Sequence, residues 1–294
     1  MSAVSCQKLS SGILTKYYWL FLLLASGVIA LLLVRLLNPP QLSYRGVRLG
    51  KWIERLGHDD PEAQAAIREI GTNAIPQLFR FLTTRETQSS KELKLWLNQH
   101  ASLNMTDKFA LNRKLSACKG FEVLGDVASP AIPKLTELLN NRDTSRFAAL
   151  ALAAVGERAL GDLTNGLRNR DPLIRRHAAM AFETLRTAPP TAIESLLEAL
   201  SDEDYTVQWA AVRALGGLRR EPTTVIPVLV EMLSGTNRFV RQGVVEVLGK
   251  WGPEAKGAAP ALRALTGDPD NLIRNAAAIA LRQIEPGYTN VSVR

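Results

Sequence analysis

Between residues 240 and 252 the chain reads Val240-Arg241-Gln242-Gly243-Val244-Val245-Glu246-Val247-Leu248-Gly249-Lys250-Trp251-Gly252. Counting from Val240, the residues Val244, Val247, Leu248 and Trp251 fall at plus 4, 7, 8 and 11. Apolar residues at that spacing line one side of an α-helix, so the stretch predicts a helix with a single dry face. The four places recur. Stepping back 33 residues to Val207 finds Ala211, Ala214, Leu215 and Leu218; another 33, to Ile174, finds Ala178, Ala181, Phe182 and Leu185. Thirty further back, Thr144 heads Ala148, Ala151, Leu152 and Val155, and 31 before that Arg113 heads Ala117, Gly120, Phe121 and Leu124. Forward of Val240, Ile273 heads Ala277, Ala280, Leu281 and Ile284; a more distant copy at Asp59 heads Ala63, Ala66, Ile67 and Ile70. Seven copies at a near-constant period predict a repeat array.

The rest of each unit repeats too. Three places before the head stand Asn141, Asp171, Asp204, Asn237 and Asp270. Their side chains accept from the orphan N–H groups of a first turn, which predicts N-caps, and Pro172 suits a first-turn proline. Beyond the stripe, Pro133, Pro227 or Pro260 predicts the start of a second, shorter helix: Leu135, Leu138 and Leu139; Leu229, Met232 and Leu233; Leu262 and Leu265. One unit is helix, turn, helix in about 33 residues, and neither helix can bury its stripe without neighbours. The last unit has only its first helix, Asn271 to Ile284, kept soluble by Arg274, Asn275 and Arg282. The period breaks between 83 and 106, where a loop and a short helix carrying Trp96 predict an insertion or a degenerate unit.

Upstream the pattern changes. Residues 1–16 are a polar leader with Lys8 and Lys16, and Tyr17 to Val34 then run without a charge. Extended past Arg35, whose head can snorkel, the run predicts a transmembrane helix over 17–37, because a hydrocarbon core of about 30 Å needs roughly 20 apolar residues. Basic residues flank both ends, so the positive-inside rule nearly ties; a short basic leader tips the balance towards an exported array on a single-pass membrane protein. Residues 38–48 read as linker and 49–294 as the solenoid. Leu49, Trp52, Ile53 and Leu56 predict a short amphipathic helix ended by Gly57. It either caps the open face of the array or lies on the membrane, with Arg45, Arg48, Lys51 and Arg55 meeting anionic headgroups.

The pattern V/I-R-x-x-A-x-x-A-L-G … P-x-L-x-x-L, over roughly residues 59–294, resembles the HEAT repeat of armadillo-like α-solenoids, in the short form also found in HEAT-like phycobilin lyases. The unit headed by Thr144 departs from it, with Gly161 where others have proline. The resemblance implies an all-α fold: a right-handed α-α superhelix of about six to seven helix pairs, here preceded by one transmembrane helix. It also implies that second helices line the ligand-facing side. It says little about task, since unrelated functions share such folds.

Charge narrows the field. The formal net charge is +8, yet residues 115–294 hold 21 basic and 20 acidic side chains, so seven of the eight excess charges lie in the first 114 residues. A solenoid that tracks phosphates carries its excess on the repeats, so nucleic acid is disfavoured and kept as an alternative. Two cysteines exclude a disulfide framework, and Cys118, beside the stripe, reads as a small buried residue. His58, His100 and His177 lie far apart; no His-Glu pair of the kind found in HEAT-like hydroxylases occurs, and no P-loop, GxSxG, GxGxxG or CxxC. His177, after Arg175 and Arg176, is expected to be solvated or to touch the adjacent turn. No catalytic, cofactor-binding or metal-binding residue is assigned, with a HEAT-like lyase or enzyme-associated factor as the alternative.

Two charge columns remain. Lys114, Arg175, Arg241 and Arg274 stand one place after each head, interrupted by Ser145 and Gln208, and predict a structural ladder of arginines pairing with cap aspartates of the same or the next unit. Glu137, Glu198 and Glu231 stand at equivalent places on the second helices, with Asn165 and Ala264 completing the row. They are the candidate partner-binding row, suited to a basic or extended peptide. The expectation is a membrane-anchored scaffold for a protein partner, without catalysis.

Overall fold

The structure, a computed structural model, describes residues 42–84, 92, 108–185 and 189–287. The predicted leader (1–16), the predicted transmembrane helix (17–37) and nearly all of the 83–106 block lie outside the described residues. Among the described residues no helix is long and apolar enough to cross a membrane. The chain divides into two units, residues 1–50 and 51–294.

In the first unit, part of the predicted linker forms an antiparallel hairpin, β1 (Ser43–Tyr44) with β2 (Val47–Arg48). Arg45 and Gly46 turn it with φ of +49° and +74°, the left-handed pair that matches the twist of two joined strands. Helix α1 (Leu49–Leu56) then begins, over the span the apolar spacing predicts.

The second unit alternates long first helices with short second ones. The first helices are α2 (Pro61–Ile70), α4 (Lys108–Leu124), α6 (Ser145–Val155), α8 (Pro172–Phe182), α10 (Tyr205–Leu218), α12 (Arg238–Trp251) and α14 (Asn271–Ile284). Between them lie α3 (Ile75–Leu82), α5 (Ile132–Leu139), α7 (Leu160–Gly166), α9 (Pro190–Ala199), α11 (Pro222–Met232) and α13 (Ala259–Leu265). Each first helix from α4 onward packs beside the next first helix, and the intervening second helix leans on it as well. The stripe thereby meets its missing dry side. Of the seven copies, every stripe residue is buried except Leu185, which is half-buried.

Helix ends explain the punctuation. Asp171, Asp204, Asn237 and Asp270 cap α8, α10, α12 and α14, each accepting from a first-turn N–H. Twelve places after the head, Gly71, Gly125, Gly156 and Gly252 all have positive φ, between +51° and +100°, where a Cβ would be strained. Arg219 holds the same place with φ +47°.

Two expectations about ends are corrected. Asn141 does not cap a helix; it closes an Asx turn on the N–H of Asp143 at 2.9 Å, and α6 starts four residues later with Thr144 at its N-cap. Pro227 lies inside α11 rather than at its start. Arg219 and Glu221, both left-handed, turn the chain early, and Pro222 takes the first helical position instead.

Candidate partner-binding cleft

Two places after the head, the first helices point a side chain away from the core. Reading across α6, α8 and α10 these are Arg146, Arg176 and Trp209. Together with His177, Met180, Tyr205, Thr206 and Phe239 they line a cleft of about 500 Å³ spanning four consecutive first helices.

The apolar end is built from partly exposed rings. Tyr205 and Phe239 are 47% and 50% exposed and stack on each other, centroids 6.4 Å apart and planes 23° from parallel. Trp209 lies against α12 where Gly243 has no side chain; a Cβ there would sit 3.2 Å from the indole Cδ1. The Arg213 guanidinium stacks over the Trp209 ring at 5.0 Å and is held by Glu183 at 2.6 Å; Arg238 stacks over Phe239 at 4.7 Å. Large rings this exposed on the outer side of a capped helix contribute nothing to the core.

The other end is cationic. Arg146 is exposed and Arg176 half-buried, and neither forms an ion pair among the described residues. Arg176 Nε is buried without a hydrogen-bond partner. By contrast Arg142 pairs with Asp171 at 3.0 Å, Arg168 with Glu198 at 2.9 Å and Arg175 with Asp202 at 2.7 Å. Between the two guanidinium groups sits His177, which is buried rather than solvated: its Nδ1 is 2.8 Å from Ser145 Oγ in the first turn of α6. Burial and the nearby charges of Arg176 and Arg146 push its imidazole down to about 4, so it is neutral at pH 7.

The predicted arginine ladder is structural, by a different bond than expected. Arg175, Arg241 and Arg274 donate through Nη1 to carbonyls of their own preceding loops: Asn169, Gly235 and Asp268, at 2.9, 2.9 and 2.6 Å. Gln208 fills the same role, donating to the Asp202 carbonyl at 2.7 Å. Arg175 also grips Asp202, and Arg241 reaches Asp268 at 3.5 Å; both acids belong to the next unit and stand two residues before its cap, so the caps themselves are not the partners. Where that acid is replaced by Gly235, the ladder position is the neutral Gln208. Lys114 takes no rung; its ammonium lies 5.2 Å from the Phe147 ring.

Glu137, Glu198 and Glu231 are exposed on α5, α9 and α11 as expected, but two already have partners: Glu137 pairs with Lys134 at 2.7 Å and Glu198 with Arg168. Of the predicted membrane-contact residues, Arg45, Arg48 and Lys51 are exposed, whereas Arg55 is turned onto the chain's own acids, Asp60 at 2.5 Å and Glu62 at 2.6 Å, and stacks on Trp52. Trp52, Ile53 and Leu56 are buried, and Glu54 pairs with Arg113 of α4 at 3.1 Å, as a helix covering the first face of the array should.

A larger cleft of about 690 Å³ lies between the C-terminal halves of α4 and α6. Its wall is mostly aliphatic, and its one basic member, Lys119, is taken up by Glu122 at 3.2 Å and by Asp59 outside the wall at 3.4 Å. Cys118 on that wall donates to the Phe147 carbonyl at 3.5 Å, and burial pushes its thiol up to about 12. Such a thiol is not a nucleophile at neutral pH. The signal that marks the smaller cleft was present in the sequence: aromatic and cationic residues at places the stripe does not use. Sequence reasoning missed it because no single unit carries the set.

The fold defines an all-α helical repeat solenoid. Within it, residues 160–249 and 193–282 match the family model of HEAT repeats. No curated protein matches the chain. Similar solved structures include an engineered protein (24% identity, covering 72% of this chain and 96% of that one, TM-score 0.44). Another is a designed armadillo repeat protein in complex with the peptide (KR)4 (19% identity, 71% and 98%, TM-score 0.43). Human deoxyhypusine hydroxylase in complex with glycerol is a third (16% identity, 81% and 97%, TM-score 0.37). None of these bears on what this chain binds.

Proposed function

We propose that the protein is a membrane-anchored scaffold whose solenoid binds another protein, with no catalysis of its own. The observation that carries this reading is the cleft of Arg146, Arg176, Tyr205, Trp209 and Phe239: exposed stacked rings beside two guanidinium groups that no acid of the described chain neutralises. Exposed aromatic and arginine side chains clustered in a depression are the composition of binding hot spots. The groups nearest to catalytic chemistry are otherwise engaged. Ser145 is fully buried beside His177, so no substrate reaches its hydroxyl, and the Cys118 thiol is held protonated. The near-neutral repeats speak for a protein partner over nucleic acid.

The membrane part of the reading rests on the uncharged run from Tyr17 to Val34. Alkaline carbonate should leave the full chain in the membrane pellet and release a chain starting at residue 38. A topology reporter after Arg294 then reads the side of the array.

For the scaffold itself, a photo-cross-linking amino acid replacing Phe239 should yield protein adducts in intact membranes that disappear with Arg146→Glu. The same probe at Ile279, 54% exposed but outside the cleft, should not. Equal adducts from both positions, indifferent to Arg146, would reject the cleft as the binding surface.

A further inference from the structure

The cleft has a spacing as well as a composition, and the spacing says what fits it. Arg146, Arg176 and Trp209 occupy the same place on three successive first helices, α6, α8 and α10, which pack side by side. Packed helix axes lie roughly 8–10 Å apart. A polyproline II segment repeats its facing side chain every third residue, roughly 9.3 Å along its axis. An α-helix fits less well, since its facing residues come every 5–6 Å and only its i, i+7 pairs, roughly 10.5 Å apart, approach that spacing. A segment laid across the three helices in polyproline II form therefore presents residues i, i+3 and i+6 to the three places in turn.

The chemistry at each place sets the residue wanted. Arg146 and Arg176 have no acidic partner among the described residues, and Arg176 Nε is buried without a hydrogen bond, so the first two want carboxylates. The acid that acts on this corner, Asp171, is already paired with Arg142. The third place is Trp209, its indole edge close to Gly243 and its ring lining the cleft beside the exposed, stacked Tyr205 and Phe239, an aromatic wall of the kind that seats a proline ring.

We propose that the occupant of the cleft is an acidic polyproline II segment of a partner protein, with carboxylates three residues apart and a proline three residues beyond the second. This inference rests on the scaffold reading and adds the ligand class to it.

The probe is a fluorescein-labelled peptide of that pattern, measured by anisotropy against the full chain in detergent. A second peptide of identical composition has its glutamates two residues apart, and a third carries lysine in place of the first glutamate. The patterned peptide should bind about tenfold more tightly than the shifted one. Arg146→Glu should weaken the patterned peptide by about tenfold and strengthen the lysine peptide, a reversal that a merely misfolded variant cannot produce. Trp209→Ala, with its thermal midpoint checked, should weaken the patterned peptide alike. If patterned and shifted peptides bind equally and both respond to Arg146→Glu, the polyproline register is wrong and the cleft still binds. If no peptide responds to either cleft variant, the scaffold reading falls with it. A single-stranded oligonucleotide that displaces the peptide at lower concentration, in an Arg146-dependent way, would overturn the acidic peptide in favour of nucleic acid.

Discussion

His177 shows how a residue reads differently once its neighbours are known. In sequence it follows two arginines, which suggests solvent; in the structure it is 9% exposed and shares a hydrogen bond with Ser145 of the preceding unit. Its imidazole is depressed from 6.5 to about 4, chiefly by burial, then by Arg176 and Arg146. Between those values the unfolded chain takes up a proton that the folded chain refuses, so stability falls as pH drops through the window and levels off below it. Urea midpoints measured at pH 7 and pH 4.5 should therefore differ, and the part of the difference due to this site should vanish in His177→Gln. An unchanged difference in the variant would mean the imidazole titrates normally in the fold. Asp204 adds a further acid-side loss, because the Thr206 hydroxyl and backbone N–H hold its carboxyl below the usual range.

At the scale of one element, α12 contains most of what made the repeat legible. Asn237 accepts from Phe239 N at 2.9 Å and Val240 N at 3.3 Å, the stripe buries Val244, Val247, Leu248 and Trp251, and Gly252 ends the helix at φ +62°. Asn237→Ala should cost about 1 kcal/mol in chemical denaturation, and Gly252→Ala a similar amount, for loss of the cap and for the forced left-handed Cβ respectively. Only the first should also loosen peptide binding, because the cap sets the direction in which Phe239 leaves the helix. Equal binding by both variants would mean that the ring is positioned by the stack with Tyr205 alone.

Across the whole array, what matters is how each unit holds the next. Apolar contact between successive first helices is continuous, and Arg175 adds a polar rivet, its guanidinium gripping Asp202 at 2.7 and 2.8 Å with both side chains about nine-tenths buried. Asp202→Ala removes the buried, two-pronged acid, leaves Arg175 only one acid, the exposed Glu203 at 3.2 Å, and should cost about 3 kcal/mol. Asp268→Ala should cost less, because its arginine stands off at 3.5 Å instead of gripping the acid with two short hydrogen bonds. In a stack of nearest-neighbour contacts a broken rivet also divides the unfolding, so the Asp202 variant should show a lower m-value in urea. A loss of stability with the m-value intact would mean that the array unfolds as one block regardless of that bond.

The stripe, four of the five caps and the terminal helix Asn271–Ile284 were legible in the chain because helical burial has a local period that composition cannot imitate. The first helix of each unit needs only its own residues to declare its dry face. The cap at Asn141 was not legible, since its side chain closes an Asx turn on Asp143 instead, and neither was the start of α11, since Arg219 and Glu221 go left-handed and bring Pro222 to the first helical position. The cleft belongs wholly to the tertiary structure. Arg146, Arg176, Trp209 and Phe239 are each unremarkable in their own unit, and they meet only because stacking sets the units side by side. The sequence by itself determined the repeat and the face each helix buries; stacking alone decided which outward side chains share a surface and which charges were left without a partner.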